Sequence, residues 1–159
     1  MAATYSTGCL NALLGENGVD TGANGLRGIF KDGVIDIYSG SKPVSANNAV
    51  SGTHLARVTI DAGAFSDGVA TNGLEFDAPS NGVLSKASAE NWKYTGIADG
   101  TAGWFRLRAN AADDTLASTT LPRIDGTIGS TSGDMILSNL NITTGAPGTI
   151  DVFNITFTS

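Results

Sequence analysis

Apolar and polar positions alternate in short runs along most of this chain, and from Val34 onward the period is that of a strand. Val34 to Ser39 is apolar on both faces apart from Asp36, and Leu55 to Asp61 turns Ala56, Val58 and Ile60 to one side and Arg57 and Thr59 to the other. Shorter runs follow at Leu74 to Phe76, Val83-Leu84, Arg123 to Ile128, Met135 to Ser138, Leu140 to Thr143 and Thr149 to Phe157. In the last, Phe153, Ile155 and Phe157 share one face and Ile150 and Val152 the other, as in a central strand or an edge that another chain completes. Only the first third offers helix: Ser6-Thr7 caps a turn through Leu10, Leu13 and Leu14, stopped at Gly15, and a second turn spans Leu26 to Phe30.

Asn91 to Asn110 holds both tryptophans and reads as a hairpin hinged on Asp99-Gly100-Thr101, since an Asp-Gly pair between alternating aromatic segments favours a tight turn. Within it Trp104, Arg106 and Arg108 share one face, and Phe105 and Leu107 the other. About nine short strands, with turn signals every 8 to 12 residues or so, are the signature of a sandwich or barrel, and the fold expected is a mainly β, antiparallel β-sandwich. The expected organisation is an N-terminal arm over residues 1–33, with a short helix and a Gly/Asn-rich loop, followed by a β-sandwich domain over 34–159.

Composition narrows the function. Charged residues make up 15% of the 159 positions and the net charge is −6, which opposes nucleic-acid binding because counterion release needs clustered Lys and Arg. Cys9 is the single cysteine, so no intrachain disulfide can form, and it is expected as a small buried apolar residue. No leader or spanning run is visible, which predicts a chain made soluble in a reducing cytoplasm with no membrane partner.

Catalytic constellations are missing. His54 is the only histidine and is expected as a polar strand-end residue, without the partners a metal centre or a placed Ser-His-Asp triad requires. Four aspartates, Asp32, Asp67, Asp99 and Asp125, precede a glycine, as tight turns demand, and neither a calcium loop nor a phosphate-binding loop occurs. The triplets at Asn141 and Asn154 match the glycosylation pattern, which Thr-rich strands produce by chance. No enzyme, cofactor or metal is expected.

Three segments, IDIYSGSKPVSA (Ile35 to Ala46), LEFDAPSNGVLSKASAENWKYTGIADGTAGWFRLRAN (Leu74 to Asn110) and RIDGTIGSTSGDMILSN (Arg123 to Asn139), resemble small virion structural proteins of tailed bacteriophages. NGVLSKA followed by ENW, and GTAGWFR, carry most of the likeness, and Glu16 to Gly25 is an insertion relative to it. The resemblance implies a capsid decoration (cement) protein of jelly-roll-like fold on the capsid outer surface. Its implied partners are the major capsid protein and itself, as a dimer or trimer.

Trp92, Trp104, Arg106 and Arg108 are then candidates for a subunit or shell contact, the alternative being that they are core or partly buried scaffold. Two other functions fit the same sequence. One is a neck, tail or fibre-associated β module, and the other a carbohydrate-binding module stacking sugars on Trp92, Tyr94 and Trp104.

Overall fold

The computed structural model describes residues 3–6, 25–81 and 83–156. Cys9, the expected helix through Leu14, most of the Glu16 to Gly25 loop, and Phe157 fall outside them.

The one described helix, α1 (Gly25–Ile29), puts Leu26, Ile29 and the following Phe30 into the core at helical spacing. Asp32, at φ 58°, takes the left-handed conformation that ends it. The rest is mainly β. The described strands are β1 (Thr4–Tyr5), β2 (Val34–Ser39), β3 (His54–Ile60), β4 (Val83–Ser85), β5 (Trp92–Thr95), β6 (Gly100–Arg108), β7 (Arg123–Gly129), β8 (Met135–Ile136), β9 (Asn141–Ile142), β10 (Pro147–Ile150) and β11 (Asn154–Thr156). One sheet runs in the order β1-β7-β6-β2-β3-β5-β10, with β8 on β7 and β9 on β6, while β11 and β4 form a separate two-stranded ribbon. All pairs are antiparallel except β7 with β8.

The aromatic hairpin does not form. β5 and β6 are consecutive in the chain, yet β2 and β3 lie between them in the sheet. Trp92 and Lys93 pair with Ile60 and Thr59 of β3, the other edge of β5 takes β10, and Gly100 pairs with Ile142 of β9. Asp99 does not close a turn of its own; its carboxylate accepts the Thr144 amide at 2.7 Å. A local turn preference of this kind is outweighed by long-range pairing and burial. The final run also breaks: Ile150 ends β10, Val152 is exposed, and Ile155 belongs to β11, which pairs with β4. Leu74 and Phe76 make only isolated bridges.

The face pattern read from sequence does hold. Ile35, Ile37, Ala56, Val58, Phe105, Leu107 and Ile124 line one side of the sheet, where α1, Leu84, Trp92, Phe153 and Ile155 complete a common core. Phe105 lies across Gly126, its partner on β7; a Cβ there would fall 2.4 Å from the ring, so only glycine admits it. β1 adds to β7, and α1 packs into the same core, so the described residues of the expected arm are integral to the domain.

Candidate functional site

Strand alternation that sends Phe105 and Leu107 inward sends Trp104, Arg106 and Arg108 to the opposite face. Here the neighbouring strands contribute ions. In register across β3, β2, β6 and β7 stand Arg57, Asp36, Arg106 and Asp125, a row of alternating charge. Three connections cover this face: 40–53, 61–73 and 109–122.

The central pair is Arg106 with Asp125. Arg106 Nε and Nη2 donate to the two carboxylate oxygens at 2.7 and 2.8 Å, and Nη2 also reaches the Asn48 carbonyl at 3.0 Å. Both side chains are essentially inaccessible, and Arg106 Nη1 has no hydrogen-bond partner among the described residues. Asp36 gathers two arginines and a histidine. Arg57 binds it in a fork at 2.6 and 3.1 Å, Arg108 Nε donates at 3.1 Å, and His54 Nε2 lies 3.1 Å away. Burial pushes the Asp36 carboxyl up, but His54, Arg57 and Arg108 outweigh it and hold the group well below the usual carboxylate range. Arg108 extends to Asp67 at 2.7 Å and the Ala111 carbonyl at 3.3 Å, and Phe65 stacks over both Arg57 and Arg108. On β7, Arg123 forks onto Asp113 and donates to the Leu116 carbonyl at 2.8 Å. Four arginines are thus matched by four aspartates, so the chain's acidic excess lies elsewhere.

Each arginine binds a covering connection as well as the sheet, or lies under one. The connections also bind each other: Val50 N to Thr115 O, Ser118 N to Asn47 O, Gly68 N to the Asn110 side chain, and Asn110 Nδ2 to Val69 O. The result is a fixed surface of loops. Its exposed large apolar side chains are Val44, Val69 and Leu116, one from each connection.

The four candidate contact residues all lie inside. Trp104 is fully buried, stacked on Tyr38 at 4.6 Å with the Arg106 guanidinium also over its ring, and its indole N–H donates to the Ser51 carbonyl at 3.2 Å. Trp92 is 1% exposed, edge-on to Phe76, and donates to Glu90 at 2.7 Å. Arg106 and Arg108 are 1% and 3% exposed. The scaffold alternative therefore describes them: a direct contact by Trp104 or Arg106 would require the 40–53 connection to leave, Arg108 is held by Asp67 and Ala111 of the other two, and Trp92 is in the core. With both indoles closed off, Trp92 and Trp104 cannot join Tyr94 in a common open sugar-stacking platform.

Both indoles should accordingly give emission blue-shifted from free tryptophan, weakly quenched by iodide, and shifted red only on unfolding. Strong iodide quenching of the folded chain would show the covering connections to be open.

His54 sits at the rim, half-buried, against Tyr38 and Asp36. An Asp-His pair is part of a nucleophile-activating triad, but among the described residues no hydroxyl is hydrogen-bonded to the ring. No group of three or more His, Cys, Asp or Glu residues suited to a metal ion occurs among the described residues, and no described helix is long and apolar enough to cross a membrane.

Sequence reasoning missed the aspartates. Asp36, the one polar residue in VIDIYS, was the available signal, because an ion inside an apolar strand implies partners on the neighbouring strands.

A groove of about 400 Å³ opens elsewhere, between β10 and the 137–143 segment, floored by Tyr94, Leu137 and Ile142. The chain matches no family model, no curated protein and no solved structure.

Proposed function

We propose that this chain is a non-catalytic module that attaches to a larger assembly through its loop-covered face, as a decoration protein on the outer surface of a tailed-bacteriophage capsid. The observation that carries the attachment is the loop surface itself. Val44, Val69 and Leu116 are 91%, 47% and 60% exposed, on connections that are bonded to one another and anchored to buried ions. Scattered exposed apolar residues need no explanation, but apolar side chains on a prefixed frame suit an interface, because little ordering entropy remains to be lost on docking.

The assembly is assigned on the resemblance of NGVLSKA with ENW, and of GTAGWFR, to small virion proteins of tailed bacteriophages. The acidic excess favours the outside of a shell over its DNA-facing interior. The major capsid protein is the partner, with self-association into a dimer or trimer. With this reading goes the finer architecture, a jelly-roll-like sandwich in which the β4–β11 ribbon begins the second layer by packing Leu84 and Ile155 on the common core.

Mechanically, a decoration protein that binds only the mature shell stabilises that state by its binding free energy, summed over many copies. The decisive experiment is quantitative mass spectrometry of purified particles against the major capsid protein. Hundreds of copies support shell decoration, a dozen or fewer move the chain to the neck or tail, and absence overturns both. Leu116→Asp, at an exposed position, is expected to weaken shell binding about 30-fold, a hot-spot-sized loss, without changing thermal stability.

A further inference from the structure

We infer that the groove between β10 and the 137–143 segment is a binding site for a neutral saccharide unit. At about 400 Å³ it falls within the range of small-ligand sites, roughly 300–1,000 Å³. Its floor is apolar, from the Tyr94 ring, Leu137 and Ile142, while the lining residues Asn139, Asn141, Thr143 and Thr149 are exposed. No Asp, Glu, Lys, Arg or His lines it.

The polar groups are held but not used up. Thr101 donates to Asn141 Oδ1 at 3.2 Å, and the Asn141 amide donates to Asn139 Oδ1 at 3.0 Å. Both carboxamide oxygens are thereby engaged, and both NH₂ ends are without a partner among the described residues. The hydroxyls of Tyr94, Thr143 and Thr149 likewise have none there, so donors and acceptors stand together around an apolar floor.

This is the complement of a sugar ring, whose hydroxyls both give and accept and whose C–H faces rest on apolar surface. An anion or a cation would meet no opposite charge, and a wholly apolar ligand would leave the amides unpaired.

The rim is also prefixed. Asp99 accepts the Thr144 amide at 2.7 Å, Gly145 N donates to Gly96 O at 2.8 Å, and Gly96 N to Ala146 O at 2.9 Å. Tyr94 lies so close over Gly148 that a Cβ there would fall 2.1 Å from its Cζ. Glycine at 148 thus lets the ring approach β10 closely and form the floor. β10 ends the sheet, so no further strand of the chain pairs with its outer edge among the described residues.

No residue of the groove belongs to the three covering connections, so a glycan site here stands independently of shell attachment. The test is titration of the isotopically labelled full chain with maltotriose, lactose and N,N′-diacetylchitobiose, followed by amide chemical shifts. At least one sugar is expected to give saturable shifts confined to the groove-lining segments around 94 and 137–149. Because no ionic contact is involved, the affinity should hold within about twofold between about 50 and 500 mM salt. Asn141→Ala and Thr149→Ala, both at exposed positions, should each weaken binding about threefold to tenfold, as loss of one hydrogen bond does.

The inference is overturned if none of the three sugars shifts the groove at up to about 10 mM, a range that captures a Kd near 1 mM. Shifts located elsewhere, an affinity lost at high salt, or variants that bind as wild type overturn it equally. Binding of an extended peptide along β10 in place of any sugar would make the groove a strand-addition edge and not a glycan site.

Discussion

Asp36→Ala is expected to destabilise the fold by about 3–5 kcal/mol, the cost of leaving a buried charge without its counterion. The loss falls unequally on the three partners. His54 and Arg57 have about a third of their side-chain surface exposed and can turn to water, whereas Arg108 is 4% exposed and cannot. Arg108 keeps Asp67, but that carboxylate is itself 36% exposed and lies on a covering connection. Against a total stability of about 5–15 kcal/mol for a domain, the variant should sit close to unfolding. Urea denaturation measures it, and a loss below about 1 kcal/mol would mean that Arg108 is solvated in the folded state.

The same carboxyl sets an acid sensitivity. Its folded pKa is depressed below the unfolded value of about 3.9, so its stabilisation is complete above that value and is lost as pH falls below it toward the folded pKa. Wild-type urea midpoints should therefore fall steeply below about pH 4, and Asp36→Asn, which has no proton to take up there, should show a shallower decline. Parallel declines for the two proteins would remove Asp36 from the acid response.

Much of this face was legible in pieces and not as a whole. Strand alternation alone placed Trp104, Arg106 and Arg108 together and opposite Phe105 and Leu107, and both assignments hold. It could not say what covers a face. The back of a strand is solvent-exposed by default, and here it is closed by connections whose course depends on sheet order.

That order is non-local. Arg108 meets Asp36 across 72 residues only because β2 inserts beside β6, and the Asp-Gly signal at Asp99-Gly100 argued instead for β5 in that position. The groove was illegible for a similar reason: Tyr94 and Asn141 have no pattern in common until β10 carries its glycine under the tyrosine ring.

Asp125→Leu and Arg106→Met are each expected to cost about 3–5 kcal/mol, while the double variant should lie far closer to wild type than either. Each single change strands one buried ion. The double change removes both, and with them a cost the wild type already carries, because Arg106 Nη1 is buried without a partner among the described residues, a penalty of about 1–3 kcal/mol. A double-mutant cycle in urea gives the coupling directly, and simple addition of the single losses would show that the two side chains do not act as a pair.

What the apolar replacement cannot restore is the tie to the 40–53 connection. Arg106 Nη2 holds the Asn48 carbonyl, and the neighbouring Ser51 carbonyl takes the Trp104 indole, so this pair locates the loop that carries Val44. Amide exchange near Asn48 to Ser51 should therefore accelerate in the double variant even where global stability is regained. Global stability and a fixed loop surface then separate. If shell attachment needs the loop held in place, the double variant will fold and yet bind shells poorly, whereas wild-type binding by a protein with a loosened loop would place attachment on another face.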